Sequence, residues 1–415
     1  MVIIIEIEFL GGAQEVGRSS VSITDGRTNI ILDCGAKIEK TPPEYPLETF
    51  DPTAIILSHA HLDHCGAIPS LFRKGNPRFI TNDISLDLVI MLLKDSMKIA
   101  SFEDYELPFG KKEAKHAINS AILSNYNEKF RIDNFRCTLF DAGHIPGSCG
   151  IQLQHDKGNI FYTGDIKLND TRLLHGCNLP SKTDILITES TYSEIDHTDR
   201  KREEENLVKS VEEALKLGEK TIIPVFAIGR GPEVLLILEE YADQIALDGM
   251  AKLATEITLN YASYVRDPIR LKKIMKKVFW VRSQKDRVKA SEKFPIVVTT
   301  AGMMSGGPVL YYLRNIRGRP EAKILFTGYL MEDSPAKILL ETGFFKSIEE
   351  QYHVRCDVKQ FDLSAHAGRS ELFEIIKRLQ PKQIIAMHGE NCPKFAKDLE
   401  EKFNISTIAP KNGDV

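Results

Sequence analysis

Short apolar runs that stop at a histidine, aspartate or glutamate recur along this chain, and they constrain its fold more than any other feature. Asn29-Ile-Ile-Leu32 leads into Asp33-Cys-Gly35, Ala54-Ile-Ile-Leu-Ser58 into His59-Ala-His-Leu-Asp-His64, and Phe135-Arg-Cys-Thr-Leu-Phe140 into Asp141-Ala-Gly-His144. Asn159-Ile-Phe-Tyr-Thr-Gly164 leads into Asp165, Asp184-Ile-Leu-Ile-Thr188 into Glu189, and Gln383-Ile-Ile-Ala-Met387 into His388. Runs this short and apolar read as buried strands, with others at Thr221–Val225, Ile296–Val298 and Lys323–Phe326. Amphipathic stretches such as Ile84–Ile99 and Glu203–Leu217 separate many of them. Strands alternating with helices give an α/β protein, in which reactive side chains gather beyond the carboxyl ends of the strands.

A chain of 415 residues has room for two or three such domains. With 42% hydrophobic and 27% charged residues it is neither disordered nor fibrous. Lys and Arg total 54 against 58 Asp and Glu. That balance argues against a wholly basic nucleic-acid binder but leaves room for a local basic patch. No apolar stretch approaches the ~20 residues of a membrane helix, so no membrane association is expected. The segment Met1–Leu10 alternates from Ile5 onward like a strand and has no basic leader, so no signal peptide is expected. Seven scattered cysteines, an odd number, read as reduced thiols of a cytoplasmic protein.

The sharpest chemical signal is His59-x-His61-x-Asp63-His64, three imidazoles and one carboxylate within six residues. A lone histidine is more often a packed side chain than a ligand. Four ligand-type groups this close are costly without a cation among them. Imidazole and carboxylate suit zinc, with other first-row metals as alternatives. Four ligands in one turn cannot all reach one tetrahedral ion, so the motif suggests two ions. Further ligands are then available at His144, Asp165 and His388, and Asp165 is the natural bridging carboxylate.

These residues resemble the motifs of the metallo-β-lactamase fold: Asp33, His59-Ala-His-Leu-Asp-His64, His144 and Asp165. Three more segments resemble motifs A, B and C of the β-CASP nucleases: Thr188-Glu-Ser-Thr-Tyr192, Ser364-Ala-His-Ala-Gly368 and His388-Gly-Glu390. Ile223-Pro-Val-Phe-Ala-Ile-Gly-Arg230, Ala301-Gly-Met-Met-Ser-Gly-Gly307 and Phe326-Thr-Gly-Tyr329 resemble further family segments. All seven motifs occur in order over nearly the whole chain. The likeness is strongest to short archaeal and bacterial members similar to the nuclease subunit of the cleavage and polyadenylation specificity factor.

The resemblance implies an αββα sandwich interrupted by an inserted β-CASP α/β domain. The sandwich would comprise residues 1–191 and 359–415, and the insert residues 192–358. The charged run Asp199–Glu205 fits a junction leading into a helix. No RNA-binding module is expected before the first strand, and no long tail after His388. The resemblance further implies one zinc held by His59, His61, His144 and Asp165. A second would be held by Asp63, His64, Asp165 and His388, with Asp33 orienting the ligands.

Two such ions support hydrolysis of an RNA phosphodiester by hydroxide. His366 is the candidate proton donor to the leaving 3′-oxygen, with Glu189 on its other ring nitrogen. Cys34, Cys65 and Cys149 adjoin motif residues, but the nitrogen and oxygen ligand set is complete without them.

RNA is the expected partner, with homodimerisation and other RNA-processing factors as further expectations of the resemblance. Candidate phosphate contacts are Ser364, Ser305, Gly306, Gly307 and Arg230. Arg270 to Lys293 holds ten Lys or Arg against Asp286 and Glu292. Within it Leu271, Ile274, Met275, Val278 and Phe279 follow helical spacing, which would line Lys272, Lys273, Lys276 and Lys277 on the opposite face. That face is either an RNA contact or a solvated surface. Three rivals to an RNA-processing or turnover nuclease are weighed: a strictly 5′-to-3′ RNase J-like exonuclease, a thioester or small-ester hydrolase on the same fold, and a non-catalytic RNA scaffold. The motifs alone leave endonuclease and exonuclease open.

Overall fold

The computed structural model describes residues 4–49, 51–347 and 350–415, so residues 1–3 of the N-terminal run lie outside it. The chain forms two compact units. The first comprises Met1–Asp170, His175–Asp196 and His366–Val415, the second Thr171–Leu174 and His197–Ala365.

The first unit holds a six-stranded and a seven-stranded sheet. Every expected strand is present within a residue or two of its sequence limits. The six-stranded sheet runs Glu6–Gly11, Ser20–Thr24, Asn29–Leu32, Ala54–Ile56, Arg78–Thr81, Ala121–Leu123. The seven-stranded sheet runs Ser406–Ile408, Gln383–Met387, Ile185–Glu189, Gly158–Tyr162, Cys149–His155, Phe135–Asp141, Lys129–Ile132.

Strand periodicity decides which residues meet. Ile160, Tyr162, Ile187, Ile385 and Met387 point to one side, into a core shared with Val21, Ile23, Ile30, Leu32 and Ile56 of the other sheet. Phe161, Leu186, Ile384 and Ala386 point to the opposite side. There they pack on Leu372, Ile375 and Ile376 of the helix Arg369–Leu379 and on Phe395 and Leu399 of the helix Cys392–Phe403. On the outer face of the six-stranded sheet Ile31, Ile55 and Phe79 are also fully covered. Apolar residues at every strand position therefore specify sheets buried on both faces, and the unit is an αββα sandwich.

The second unit is built on one parallel sheet in the order Phe279–Trp280, Ile245–Asp248, Ile296–Thr299, Thr221–Pro224, Lys323–Phe326, Asp357–Gln360. Ile223, Leu247 and Val298 face one helical layer, and Ile222, Ala246 and Val297 the other. Parallel strands need cover on both sides, and the continuous Val and Ile runs reflect it.

The unit limits differ from the sequence expectation of Tyr192 and Val358. Tyr192 bridges to Gly368 inside the first unit. Asp357–Gln360 pairs with Lys323–Phe326 as an edge strand of the second, so the exit falls after Ala365. Thr171–Leu174 joins the second unit because Glu233 accepts the backbone N–H groups of Arg172 and Leu173 at 3.0 and 2.7 Å. The basic stretch also departs from a single helix. Pro268–Met275 is helical, Phe279–Trp280 is a strand, and Gln284–Lys293 is a second helix. Phe279 enters the sheet edge, whereas Val278 lies between helix and strand and packs with Leu271, Ile274 and Met275. Lys272, Lys273, Lys276 and Lys277 are exposed.

Candidate metal centre

Strand register gathers the motif residues of the first unit. Gly158–Tyr162, Ile185–Glu189 and Gln383–Met387 are parallel neighbours, and Glu189 pairs with Met387. Asp165, Glu189 and His388 therefore leave the seven-stranded sheet at one edge. In the other sheet Leu32 pairs with Ile56, which sets Asp33 beside Ser58 and His59. The Ser58 carbonyl accepts the Cys149 N–H at 2.8 Å, tying the two strand-end clusters together.

The His59–His64 motif is held as a tight turn, since His61 O accepts the N–H groups of His64 and Cys65 at 3.0 and 2.8 Å. The turn is stitched to the loop after Asp33: Cys34 N donates to His64 O and Ala36 N to Leu62 O, both at 2.8 Å. Gly35 lies flat against this turn, and a Cβ there would stand 1.7 Å from the Asp63 carbonyl oxygen.

Two sets of ligand-type atoms converge, one from His59, His61, His144 and Asp165, the other from Asp63, His64, Asp165 and His388. Asp165 belongs to both, and its two oxygens are divided between them. Oδ2 lies 3.4 Å from His59 Nε2 and 3.6 Å from His144 Nε2. Oδ1 lies 3.4 Å from both His64 Nε2 and His388 Nε2. Asp63 Oδ2 closes the second set at 3.6 and 3.7 Å from the same two nitrogens.

The far ring nitrogens are committed elsewhere. His388 Nδ1 bonds the Ser19 hydroxyl at 2.7 Å and His59 Nδ1 the Ser58 hydroxyl at 3.0 Å. His64 Nδ1 bonds Asp33 Oδ2 at 2.7 Å. Asp33 also accepts Ser58 N and Oγ, each at 2.6 Å, and the Tyr162 hydroxyl at 2.8 Å. These partners orient the His388, His59 and His64 rings with Nε2 towards the centre, whereas His61 turns Nδ1 to it, 3.1 Å from His59 Nε2 and 3.2 Å from His144 Nε2. Asp33 and His388 both adopt left-handed backbone, at φ +59° and +51°, which is costly for non-glycine residues and concentrates at functional sites.

The residues fit divalent cations. His64 Nε2 and Asp165 Oδ1 are buried polar atoms without a hydrogen-bond partner, and each faces into the second set. A cation between them satisfies both. Burial, reinforced by the neighbouring imidazoles, pushes the His61 ring down to about 3 and the His144 ring well below its usual value, which favours the neutral rings a metal would need. Burial also disfavours a charged His64, but Asp165, Asp63 and Asp33 outweigh it and raise that ring well above its usual value. A cation bound in this set would compete with protonation of that ring.

His366 and Glu189 stand against this centre. His366 Nδ1 lies 3.0 Å from Glu189 Oε2 and 3.9 Å from Asp165 Oδ2, and its ring centroid is 4.4 Å from that of His144. Burial lowers the His366 ring, but the charges of Glu189 and Asp165 carry it up to about 9 in the metal-free chain. Cations in the centre would lower it again. Glu189 Oε1 also accepts the Ile166 N–H at 2.7 Å, so one carboxylate ties the imidazole to the residue after Asp165.

Ser364, Ser305, Gly306, Gly307 and Arg230 all belong to the second unit. Ser305 and Gly307 are exposed, Gly307 at φ +79°, and a Cβ on Gly306 would meet open space. Arg230 is buried at the start of the helix Arg230–Ile237. Ser364 is buried and its carbonyl accepts Arg200 Nη1 at 3.1 Å. Sequence reasoning missed Ser19, Ser58 and Tyr162. Ser58 adjoins His59 and Tyr162 precedes Asp165 by three positions, a signal that could have flagged both; Ser19 carried none. Burial pushes Cys34 up to about 12 and raises Cys65 and Cys149 well above the usual thiol value, so all three remain thiols.

Asp33→Ala removes the acceptor of His64, Ser58 and Tyr162 together. Metal affinity is expected to fall about 10–100-fold. The unpaired donors are also expected to cost about 1–3 kcal/mol each in stability. Calorimetric zinc titration and thermal melts of the metal-free protein read the two effects separately.

Residues 14–225 match the model of the metallo-beta-lactamase superfamily, residues 232–339 that of the Beta-Casp domain, and residues 351–410 that of the Zn-dependent metallo-hydrolase RNA specificity domain. The chain is 41% identical to the probable RNase MJ4 of Methanocaldococcus jannaschii, over 99% of both chains. It is 31% identical to RNase aCSPSF2 of Saccharolobus solfataricus, over 98% of this chain and 84% of that one. With the transcription termination factor FttA of M. jannaschii it shares 34% identity, over 99% of this chain and 71% of that one. A crystal structure of a protein of unknown function from Enterococcus faecalis V583 superposes with a TM-score of 0.59 over 99% of both chains at 15% identity, a likeness of fold. No helix among the described residues is long and apolar enough to cross a membrane.

Proposed function

Because the chain belongs to the metallo-β-lactamase superfamily and, within it, to the β-CASP family, we propose that it is a metal-dependent ribonuclease that hydrolyses RNA phosphodiesters at the Asp165 centre. The observation that carries this reading is the division of the Asp165 oxygens between two imidazole-rich sets, with His366 and Glu189 alongside. His59, His61, His144 and Asp165 would hold one ion, and Asp63, His64, Asp165 and His388 the other. We take both ions to be zinc, which the nitrogen and oxygen donor set suits. When bound, such ions supply Lewis acidity toward phosphoryl oxygens and an acidified water near neutral pH.

The protein's own groups do the rest. Asp33, Ser19 and Ser58 hold ligand rings in one tautomer. His366, charged through its contact with Glu189, gives its proton to the leaving 3′-oxygen, so the products carry 5′-phosphate and 3′-hydroxyl ends. Glu189 stabilises the imidazolium before transfer and keeps the ring in place afterwards. A small-ester hydrolase does not call for this donor pair, and a non-catalytic scaffold does not call for an intact ligand set.

Action in RNA 3′-end processing or turnover, in the cytoplasm, completes the proposal. Seven unpaired cysteines support a reducing compartment. The RNA phosphate contacts proposed for Ser364, Ser305, Gly306, Gly307 and Arg230, and homodimerisation, stand on the family resemblance.

Zinc-loaded protein should cleave labelled RNA and lose that activity on chelation. Absence of cleavage after full metal loading sinks the enzyme reading. Parallel reactions on 5′-triphosphorylated, 5′-monophosphorylated and circular RNA separate endonuclease from 5′-to-3′ exonuclease. Elemental analysis should give two zinc ions per chain, and a value of one or fewer counts against the two-ion arrangement.

A further inference from the structure

We propose that Lys167 and Glu371 are positioning residues that hold the His366 turn at a set distance from the bridging carboxylate. The proposal rests on the reading of His366 as proton donor. Lys167 lies two residues after Asp165, and Glu371 five residues after His366. Lys167 Nζ donates to Glu371 Oε2 at 2.6 Å and to the His366 carbonyl at 3.1 Å. The two side chains are only 9% and 12% exposed. Lysine is seldom buried this far without a partner, and here one of its partners is the main chain of the proposed acid.

Glu371 has a second duty as the third residue of the helix Arg369–Leu379, where Oε2 accepts the Gly368 N–H at 3.0 Å. Capping a helix this way needs only that one bond. It leaves unexplained why the same carboxylate also takes Lys167 and both the N–H and the side-chain amide of Asn169, at 3.1 and 2.8 Å. Those contacts come from the loop that carries Asp165.

The same loop holds the turn at further points. Ala367 N donates to Ile166 O at 2.6 Å, and Glu189 bonds both the Ile166 N–H and the His366 ring. Three consecutive residues, Asp165 to Lys167, thus supply the bridging carboxylate and hold both polar groups of the peptide bond that follows the acid. Ala365–Ala367 is neither helix nor strand, and Gly368 makes an isolated bridge to Tyr192, so no continuous backbone ladder sets the position of His366. A proton donor displaced by about 1 Å loses on the order of 10²-fold in rate.

The test uses Lys167→Met, Lys167→Arg and Glu371→Gln, with His366→Ala as reference. The substrates are RNA and bis(p-nitrophenyl) phosphate, whose p-nitrophenolate departs without needing a proton. Lys167→Met is expected to lower kcat on RNA by about 10–100-fold with KM within about twofold. Its loss on the activated diester should be at least about tenfold smaller, with parental zinc content. Lys167→Arg should recover most of the RNA activity. Glu371→Gln removes the charge facing Lys167 and keeps one acceptor oxygen, for the Gly368 N–H or for Asn169 but not both; it should show the same substrate pattern more weakly, which serves if Lys167→Met folds poorly.

Equal losses on both substrates, or zinc loss in Lys167→Met, overturn the positioning role and leave a purely structural one. If His366→Ala itself falls equally on both substrates, the proton-donor reading fails first. If His366→Ala discriminates and the Lys167 variants do not, the positioning proposal alone is wrong.

Discussion

Replacing His366 by alanine is expected to lower RNA cleavage by about 10²–10⁴-fold while zinc content stays at the parental value. The imidazole belongs to neither of the two four-residue ligand sets and stands against the centre beside Glu189, Asp165 and the His144 ring. Its removal therefore subtracts the proposed proton donor and leaves both sets whole. His388→Ala is the opposing case. It deletes one nitrogen of the Asp63, His64, Asp165 and His388 set and leaves the Ser19 hydroxyl without its partner. Zinc should then fall towards one per chain, together with the rate. Parallel elemental analysis and single-turnover cleavage decide the matter. Zinc loss in His366→Ala, or full retention in His388→Ala, would mean that the two histidines have been assigned each other's roles.

The second large effect is expected at Asp165. Asp165→Asn keeps the side-chain volume, so the surrounding core is not emptied. It replaces a carboxylate facing both ligand sets by an amide that can offer only one oxygen. Zinc is expected to fall below one ion per chain and cleavage by at least about 10⁴-fold, since the Lewis acidity and the activated water depend on both ions. The contrast with His388→Ala is informative: loss at a bridge empties two sites, loss at a terminal ligand empties one. A variant that retains two tightly held ions would show that Asp165 is not the shared ligand.

Much of this site is local in sequence and therefore legible in it. His59, His61, Asp63 and His64 lie within one turn, and no distant contact is needed to see that their donor atoms suit a cation. The strands were equally legible. Ile160-Phe161-Tyr162 and Ile384-Ile385-Ala386 are short and apolar at every position, which only a sheet covered on both faces accommodates. Where the reading slipped, the signal was ambiguous at short range. Phe279 sits at helical spacing from Met275 but belongs to a sheet edge, because an apolar residue looks alike in either element. Asp357–Gln360 is too polar to read as a strand, having a half-exposed edge position.

By itself the amino-acid order determined the alternation of strands and helices, the ligand-rich turn and the residue types able to bind metal or move a proton. These follow from backbone periodicity and side-chain chemistry, which act over a few residues. Only the tertiary structure decided which oxygen of Asp165 faces which imidazoles, since that depends on strand register between Gly158–Tyr162, Ile185–Glu189 and Gln383–Met387. It alone brought Tyr162 and Ser58 onto Asp33, and Lys167 onto Glu371 across 204 positions of sequence. The physical reason is that a hydrogen bond needs its partners within about 3 Å. For residues far apart in the chain, that distance is set by the packing of sheets and helices between them and leaves no mark on the local pattern.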